Sequence, residues 1–242
     1  GMDLHFTDTL RIPMKIKVIN PNTTLTMTEK IGAAARGCAS PGTEIVTVSP
    51  AQGPRSIETQ YDEAVAVIGV LDEIAAGDAA GFDGYVIACF GDPGLPAARE
   101  MARAPVVGIA EAAMHAASFI SDGFTIISMP SHALPGMERL VHAYDMGRKC
   151  RRIRMLDMPV LDLEEDASAS YRLILAECRK ALEVDHSDCV LLGCAGMSDV
   201  AAKLTRVIGA PAIDGVAAAV KMVEALVSLG LGARGRGAPR GS

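Results

Sequence analysis

The chain is predicted to fold as an α/β protein of two similar lobes, each built on a four-stranded parallel sheet. Short β-branched or apolar runs alternate with longer Ala-rich segments of helical period, the pattern of parallel strands joined by helical crossovers. The first four strand segments are also matched by a second four at a nearly constant offset of about 105–109 residues, as an internally duplicated unit requires.

In order, the first set is KIKVIN (15–20), TEIVTVS (43–49), GYVIACF (84–90) and PVVGI (105–109). FTIISM (124–129), RIRMLDM (152–158), DCVLLGC (188–194) and PAID (211–214) form the second. Each third strand runs into a cysteine, Cys89 in VIAC and Cys194 in LLGC. Each fourth strand starts at a proline and leads into a helix of small residues, PVVGIAEAAMHAA against PAIDGVAAAVKMV. The expected division is 14–112 plus 215–230 for the first lobe and 113–214 for the second, the last helix packing back onto the first. Residues 1–13 and the Gly-, Arg- and Pro-rich tail 231–242 are expected to be flexible.

Composition narrows the function classes. The 242 residues carry 23 basic and 29 acidic side chains, a net charge of -6, with 4% aromatics and no Trp. That balance opposes nucleic-acid binding, which needs a basic surface and stacking aromatics. No apolar run reaches the ~18–20 residues of a membrane span, and the first residues lack the apolar stretch of a secretory signal, so a cytoplasmic location without membrane contact is expected. The six cysteines, Cys38, Cys89, Cys150, Cys178, Cys189 and Cys194, include no CxxC pair. His186, Cys189 and Cys194 are the nearest metal-like cluster, but the odd spacing of the two cysteines sends them to opposite faces of one strand. No metal is expected.

Parallel sheets bind ligands beyond the C-terminal ends of their strands. Those ends here carry Asn20-Pro21-Asn22-Thr23-Thr24, Ser49 to Pro54, Cys89-Phe90-Gly91-Asp92-Pro93-Gly94, Ser128 to His132, and Cys194 to Asp199. There is no GxGxxG after the first strand, no phosphate-loop motif and no GxSxG elbow. What stands out is a thiol at the same position in each half, each ahead of a Gly-containing turn into a helix whose free N–H groups would depress the thiol pKa. A lone cysteine at a strand end reads as a small buried hydrophobe. Two facing one cleft from opposite sides suit the inversion of a carbon centre, one taking a proton and the other returning one to the opposite face.

Asn20, Asn22 and Thr23 fit either a substrate contact or a turn before a helix N-cap. His132 reads as an exposed loop residue, and His115 and His142 fall in helical patterns. Glu58, Tyr61, Asp62 and Glu63 read as a solvated helix face, with a supporting role behind the site as the alternative.

With IKVINPNTT (16–24), GPRSIETQYDEA (53–64), VIACFGDPGLPAARE (86–100), PVVGIAEAAMHAA (105–117) and LLGCAGMSDVA (191–201) in view, the sequence resembles the hydantoin and allantoin racemase branch of the aspartate/glutamate racemase superfamily over about residues 14–230. That resemblance implies two Rossmann-like lobes with the active site between them, and cofactor-independent two-base racemisation of a small molecule by Cys89 and Cys194. It also implies substrate contacts from Asn20, Asn22 and Thr23, from the backbone at Phe90-Gly91 and Ala195-Gly196, and from Ser128, in a homo-oligomer.

Amino-acid racemases of the superfamily typically follow their cysteines with hydroxyl or amide side chains that grip a carboxylate. The turns Cys89-Phe90-Gly91 and Cys194-Ala195-Gly196 instead suit backbone N–H groups offered to a neutral ring carbonyl. The rival readings are an amino-acid racemase, a decarboxylase or isomerase of the same scaffold, and a non-catalytic two-lobed binding protein.

Overall fold

A computed structural model describes residues 13–165 and 167–232. The first sheet comprises β1 (Met14–Ile19), β2 (Thr43–Val48), β3 (Gly84–Ile87) and β4 (Val106–Gly108), ordered β2-β1-β3-β4. The second comprises β5 (Phe124–Ser128), β6 (Cys150–Met155), β7 (Cys189–Leu192) and β8 (Ala212–Asp214), ordered β6-β5-β7-β8. Every neighbouring pair is parallel. The central strands GYVI and CVLL are buried along their whole length, as strands covered on both faces must be. The edge strand CRRIRM carries three arginines and the edge strand TEIVTV a glutamate, which discourages edge-to-edge pairing with other chains.

All eight strands expected from sequence form, with two kinds of shift. The third strands stop at Ile87 and Leu192, short of their cysteines, because the chain turns there: the Asp92 N–H donates to the Cys89 carbonyl and the Met197 N–H to the Cys194 carbonyl, both at 3.0 Å. The sixth begins earlier, at Cys150, and its register skips Arg151 opposite Phe124 and Thr125.

The helices are α1 (Leu25–Cys38), α2 (Gln60–Ala79), α3 (Leu95–Met101), α4 (Ile109–Ile120), α5 (Leu134–Ala143), the single turn α6 (Asp162–Glu165), α7 (Ala167–Glu183), α8 (Ala201–Ile208) and α9 (Gly215–Ser228). Thr59 and Asp62 close a capping box on α2, and Asp214 caps α9 by accepting from the Val216 and Ala217 N–H groups. One apolar core runs through β1, β3, β5, β7, α1, α4 and α9, and a second lies between the first sheet, α2 and α3, around Val70, Ile74, Tyr85 and Leu95. The last helix packs on α1, α4 and β3, tied there by Glu224, which accepts from the Ser40 N–H at 2.7 Å and from Thr43 Oγ1 at 2.7 Å. Apart from Pro13, Leu231 and Gly232, the termini expected to be flexible lie outside the described residues. Among the described residues no helix is long and apolar enough to cross a membrane.

Strand order sets the location of the site. In each sheet the chain leaves the central pair, β1 and β3 or β5 and β7, in opposite directions, which opens a crevice at their C-terminal ends. The two pairs end alike: the Ala88 N–H reaches the Ile19 carbonyl at 2.8 Å and the Gly193 N–H reaches the Ile127 carbonyl at 2.7 Å. One residue later on each chain come Cys89 with Asn20, and Cys194 with Ser128.

Candidate active site

A cavity of about 480 Å³ lies between the lobes, within the size range of pockets for small molecules. Cys89 and Cys194 both line it, together with Asn20, Asn22, Phe90, Gly91, Ser128 and Ala195. Two expected contacts take other roles. Thr23 turns its hydroxyl to the Pro54 carbonyl at 3.4 Å, pinning the loop after β1 to the one after β2. Gly196 packs beneath Cys194, where an added Cβ would stand 3.6 Å from the sulfur.

Each cysteine has the same local device. The turn after Cys89 brings the Gly91 N–H near its sulfur, and the turn after Cys194 brings the Gly196 N–H near the other. An N–H donor favours the thiolate, and its recurrence in both halves follows from the two equivalent turns.

The helix N-terminus expected behind each thiol does not form. After Cys89 no helix starts until Leu95, and after Cys194 the chain forms a 3₁₀ segment, Ala195–Val200. Without a helix dipole, burial dominates and pushes both thiols up from their ordinary value. At Cys89 the rise is reinforced by the Glu63 carboxylate, by charge on Cys194 and by the Asp92 carboxylate, and the Gly91 N–H opposes it. At Cys194 burial is opposed by the Gly196 N–H and Lys30, with Glu58 adding to the rise.

Glu58 and Glu63 are thus not a solvated helix face. Both line the cavity, as do Gln60, His132 and Arg139. Glu63 packs on Gly91 so closely that a Cβ there would stand 3.0 Å from Glu63 Cδ and nearer still to Oε1, while Gln60 donates to its Oε2 at 3.1 Å. Burial raises its carboxyl above the ordinary value, against the pull of Gln60 and Arg139. Glu58 accepts from the Val160 N–H of the opposite lobe at 3.2 Å. The sequence reading set these two on a solvated face because nothing local shows that the capped end of α2 lies at the cavity mouth, where Glu58, just before the cap, and Glu63, in the first turn, face the other lobe. Arg139 carried no sequence signal beyond a position on an amphipathic helix. Tyr61 does lie in solvent at 77% exposure, and Asp62 is spent on the cap.

The loop after β1 is prearranged. Asn20 Nδ2 donates to Asn22 Oδ1 at 2.8 Å and to Thr28 Oγ1 at 3.0 Å, and Asn22 Oδ1 accepts the Thr24 N–H at 2.9 Å. Asn22 Nδ2 meets the soft Met27 sulfur at 3.2 Å. Ser128 Oγ, the counterpart of Asn20 in the second lobe, donates to the Gly193 carbonyl at 2.6 Å. The rest of the wall is apolar, from Met27, Ile57, Met129, Met137, Leu140 and Val160. Among the described residues no three His, Cys, Asp or Glu side chains are grouped to hold a metal ion.

Residues 16–223 match the Asp/Glu/Hydantoin racemase family. Over 217 residues the chain is 47% identical to a protein named hydantoin racemase from Pseudomonas sp. (strain NS671), covering 90% of this chain and 87% of that one. An allantoin racemase structure from Klebsiella pneumoniae superposes with a TM-score of 0.90 at 51% identity, covering 91% of this chain and 90% of that chain. Another, from Pseudomonas fluorescens, gives 0.90 at 35% identity, covering 95% and 98%.

Proposed function

The chain belongs to the Asp/Glu/Hydantoin racemase family, and from that premise we propose that it is an isomerase that racemises 5-substituted hydantoins or allantoin without a cofactor, Cys89 and Cys194 being its two bases. The observation that carries this reading is the pair of thiols at equivalent strand ends of opposite lobes, both lining one cavity and each served by its own glycine N–H.

In the proposed reaction a thiolate on one side removes the C5 proton, whose acidity comes from the adjacent ring carbonyl, and becomes a thiol. The electron pair moves into the ring as an enolate, and the opposite thiol delivers its proton to the other face and becomes the thiolate. The products are the mirror-image ring and an enzyme with its two sulfurs exchanged in role. Developing negative charge on the carbonyl oxygen calls for N–H donors, each worth ~3 kcal/mol in such sites. The Gly91 and Gly196 N–H groups serve the sulfurs in this reading, so the backbone of Phe90 and Ala195 and the Asn22 amide are the groups we assign to the ring. Burial holds both thiols up from their ordinary value, so the cycle draws on the minority of sites in which one sulfur is a thiolate and the other a thiol. Assembly into a homo-oligomer is part of the same reading: Tyr61, Val65 and Ile68 make an exposed apolar stripe on α2, and analytical ultracentrifugation tests it.

Proton NMR in D₂O with single enantiomers of allantoin and of a 5-alkylhydantoin, run beside polarimetry and an enzyme-free control, decides the matter. Enzyme-dependent C5 deuteration with loss of rotation is expected, the faster ring being the substrate. Cys89→Ser and Cys194→Ser should each abolish racemisation, and full racemisation by Cys194→Ser would overturn the two-base assignment. Turnover of free aspartate or glutamate in place of both rings would transfer the chain to the amino-acid racemases.

A further inference from the structure

Asp92 stands out beneath the cavity. It is a non-glycine residue in the left-handed region, with φ of 48°, and is 4% exposed. Strained backbone of this kind persists where surrounding contacts over-determine it. Its own N–H closes the turn that begins at Cys89. Its carboxylate accepts from the Ala110 N–H at 3.0 Å and the Glu111 N–H at 2.9 Å, at the start of α4, and from the Tyr144 hydroxyl at 2.6 Å. Tyr144 comes from the second lobe, directly after α5, the helix that lines the cavity through Met137, Arg139 and Leu140.

The second lobe builds the same connection with its parts exchanged. There the carboxylate sits on the helix: Asp214 caps α9 through the Val216 and Ala217 N–H groups at 3.0 and 3.1 Å. The turn after Cys194 supplies the hydroxyl, with Ser198 Oγ donating to Asp214 Oδ1 at 2.6 Å. Each reactive turn is therefore fastened by one carboxylate to the first turn of the helix that follows the fourth strand. Only in the first lobe does the fastening reach across to the cavity's other wall.

We propose that Asp92 with Tyr144, and Asp214 with Ser198, are positioning residues, each pair clamping the turn that holds one glycine N–H beside one cysteine, and that Tyr144 couples the Cys89 turn to the α5 wall. The assignment of the cysteines as bases rests on the function proposed above; the clamps themselves do not.

Two variants each remove one hydroxyl and leave both carboxylates in place: Tyr144→Phe and Ser198→Ala. Iodoacetamide labelling of the full chain, read peptide by peptide by mass spectrometry, reports how well each N–H favours its thiolate. Tyr144→Phe should slow labelling at Cys89 by about fivefold and leave Cys194 nearly unchanged, with Ser198→Ala doing the reverse. Racemisation by either variant should lose kcat by about tenfold with little change in KM, the mark of an interaction used in the transition state. Equal changes at both cysteines, or none at either, would overturn the proposal. Labelling needs no turnover, so a chain that fails to racemise any ring would refute the functional reading and still answer the question of the clamps.

Discussion

Gly108 offers a sharp test of how tightly the Cys89 side of the site is built. Its backbone, at φ −86° and ψ 145°, is open to any residue, so Gly108→Ala tests space alone. The added Cβ would stand 2.6 Å from Asp92 Oδ2 and closer still to Cγ and Oδ1. Contacts of that length do not persist, and the carboxyl would have to retreat by ~1 Å to regain ordinary van der Waals distance. Doing so breaks its bonds to two helix N–H groups and to Tyr144. Hydrogen bonds to a charged group contribute ~1.5–3 kcal/mol each, and the three share one carboxylate, so the sum falls short of additive. A loss of ~3–5 kcal/mol follows, which at ~2–4 °C per kcal/mol for a chain of this size lowers Tm by ~6–20 °C. Gly37→Ala is the matched control: it lies in α1 with no atom within 4 Å of the added Cβ, and should raise stability by ~0.5–1 kcal/mol. Thermal and urea denaturation followed by circular dichroism would measure both. A Gly108→Ala protein within ~1 kcal/mol of the parent would refute the packing argument.

Three further outcomes are expected. Burial pushes the Asp92 carboxyl up to about 6, above the ordinary 3.8, although Tyr144 and the two N–H groups pull it down. Its contribution to stability is therefore complete below pH ~4 and lost as pH rises through ~6, so the stability difference between the parent and Asp92→Asn should shrink by ~3 kcal/mol across that window; a difference independent of pH would contradict this. Glu63→Gln removes a carboxylate that raises the Cys89 thiol, and the pH profile of Cys89 alkylation should move to lower pH, a shift to higher pH being the contrary result. Glu224→Ala should cost ~2–4 kcal/mol in urea unfolding, because it leaves the Ser40 N–H and the Thr43 hydroxyl without their acceptor at the joint between α9 and the turn before β2; a loss below ~0.5 kcal/mol would show that water replaces it.

The sequence by itself determined the eight strands, their division into two equivalent sets and the pair of cysteines, because apolar periodicity, flanking Gly and Pro, and repetition at one offset are local or self-comparing signals. It also placed Asn20, Asn22, Phe90, Gly91, Ser128 and Ala195 at strand ends, and the cavity collects all of them, since strand order joins those ends within each sheet and the packing of the two lobes brings the sheets face to face. What it could not supply was the far wall. Glu58, Glu63, Gln60 and Arg139 enter the site only because the first turn of α2 meets α5 and the Val160 segment across the lobes, and a capping box reads the same in sequence wherever its helix points. The electrostatic sense of the thiols was likewise tertiary: the glycine N–H donors are written in each turn, but burial between two lobes and the nearby Glu63 carboxylate outweigh them at Cys89. Desolvation and long-range charge depend on what the rest of the chain stacks over a residue, and no window of sequence contains that.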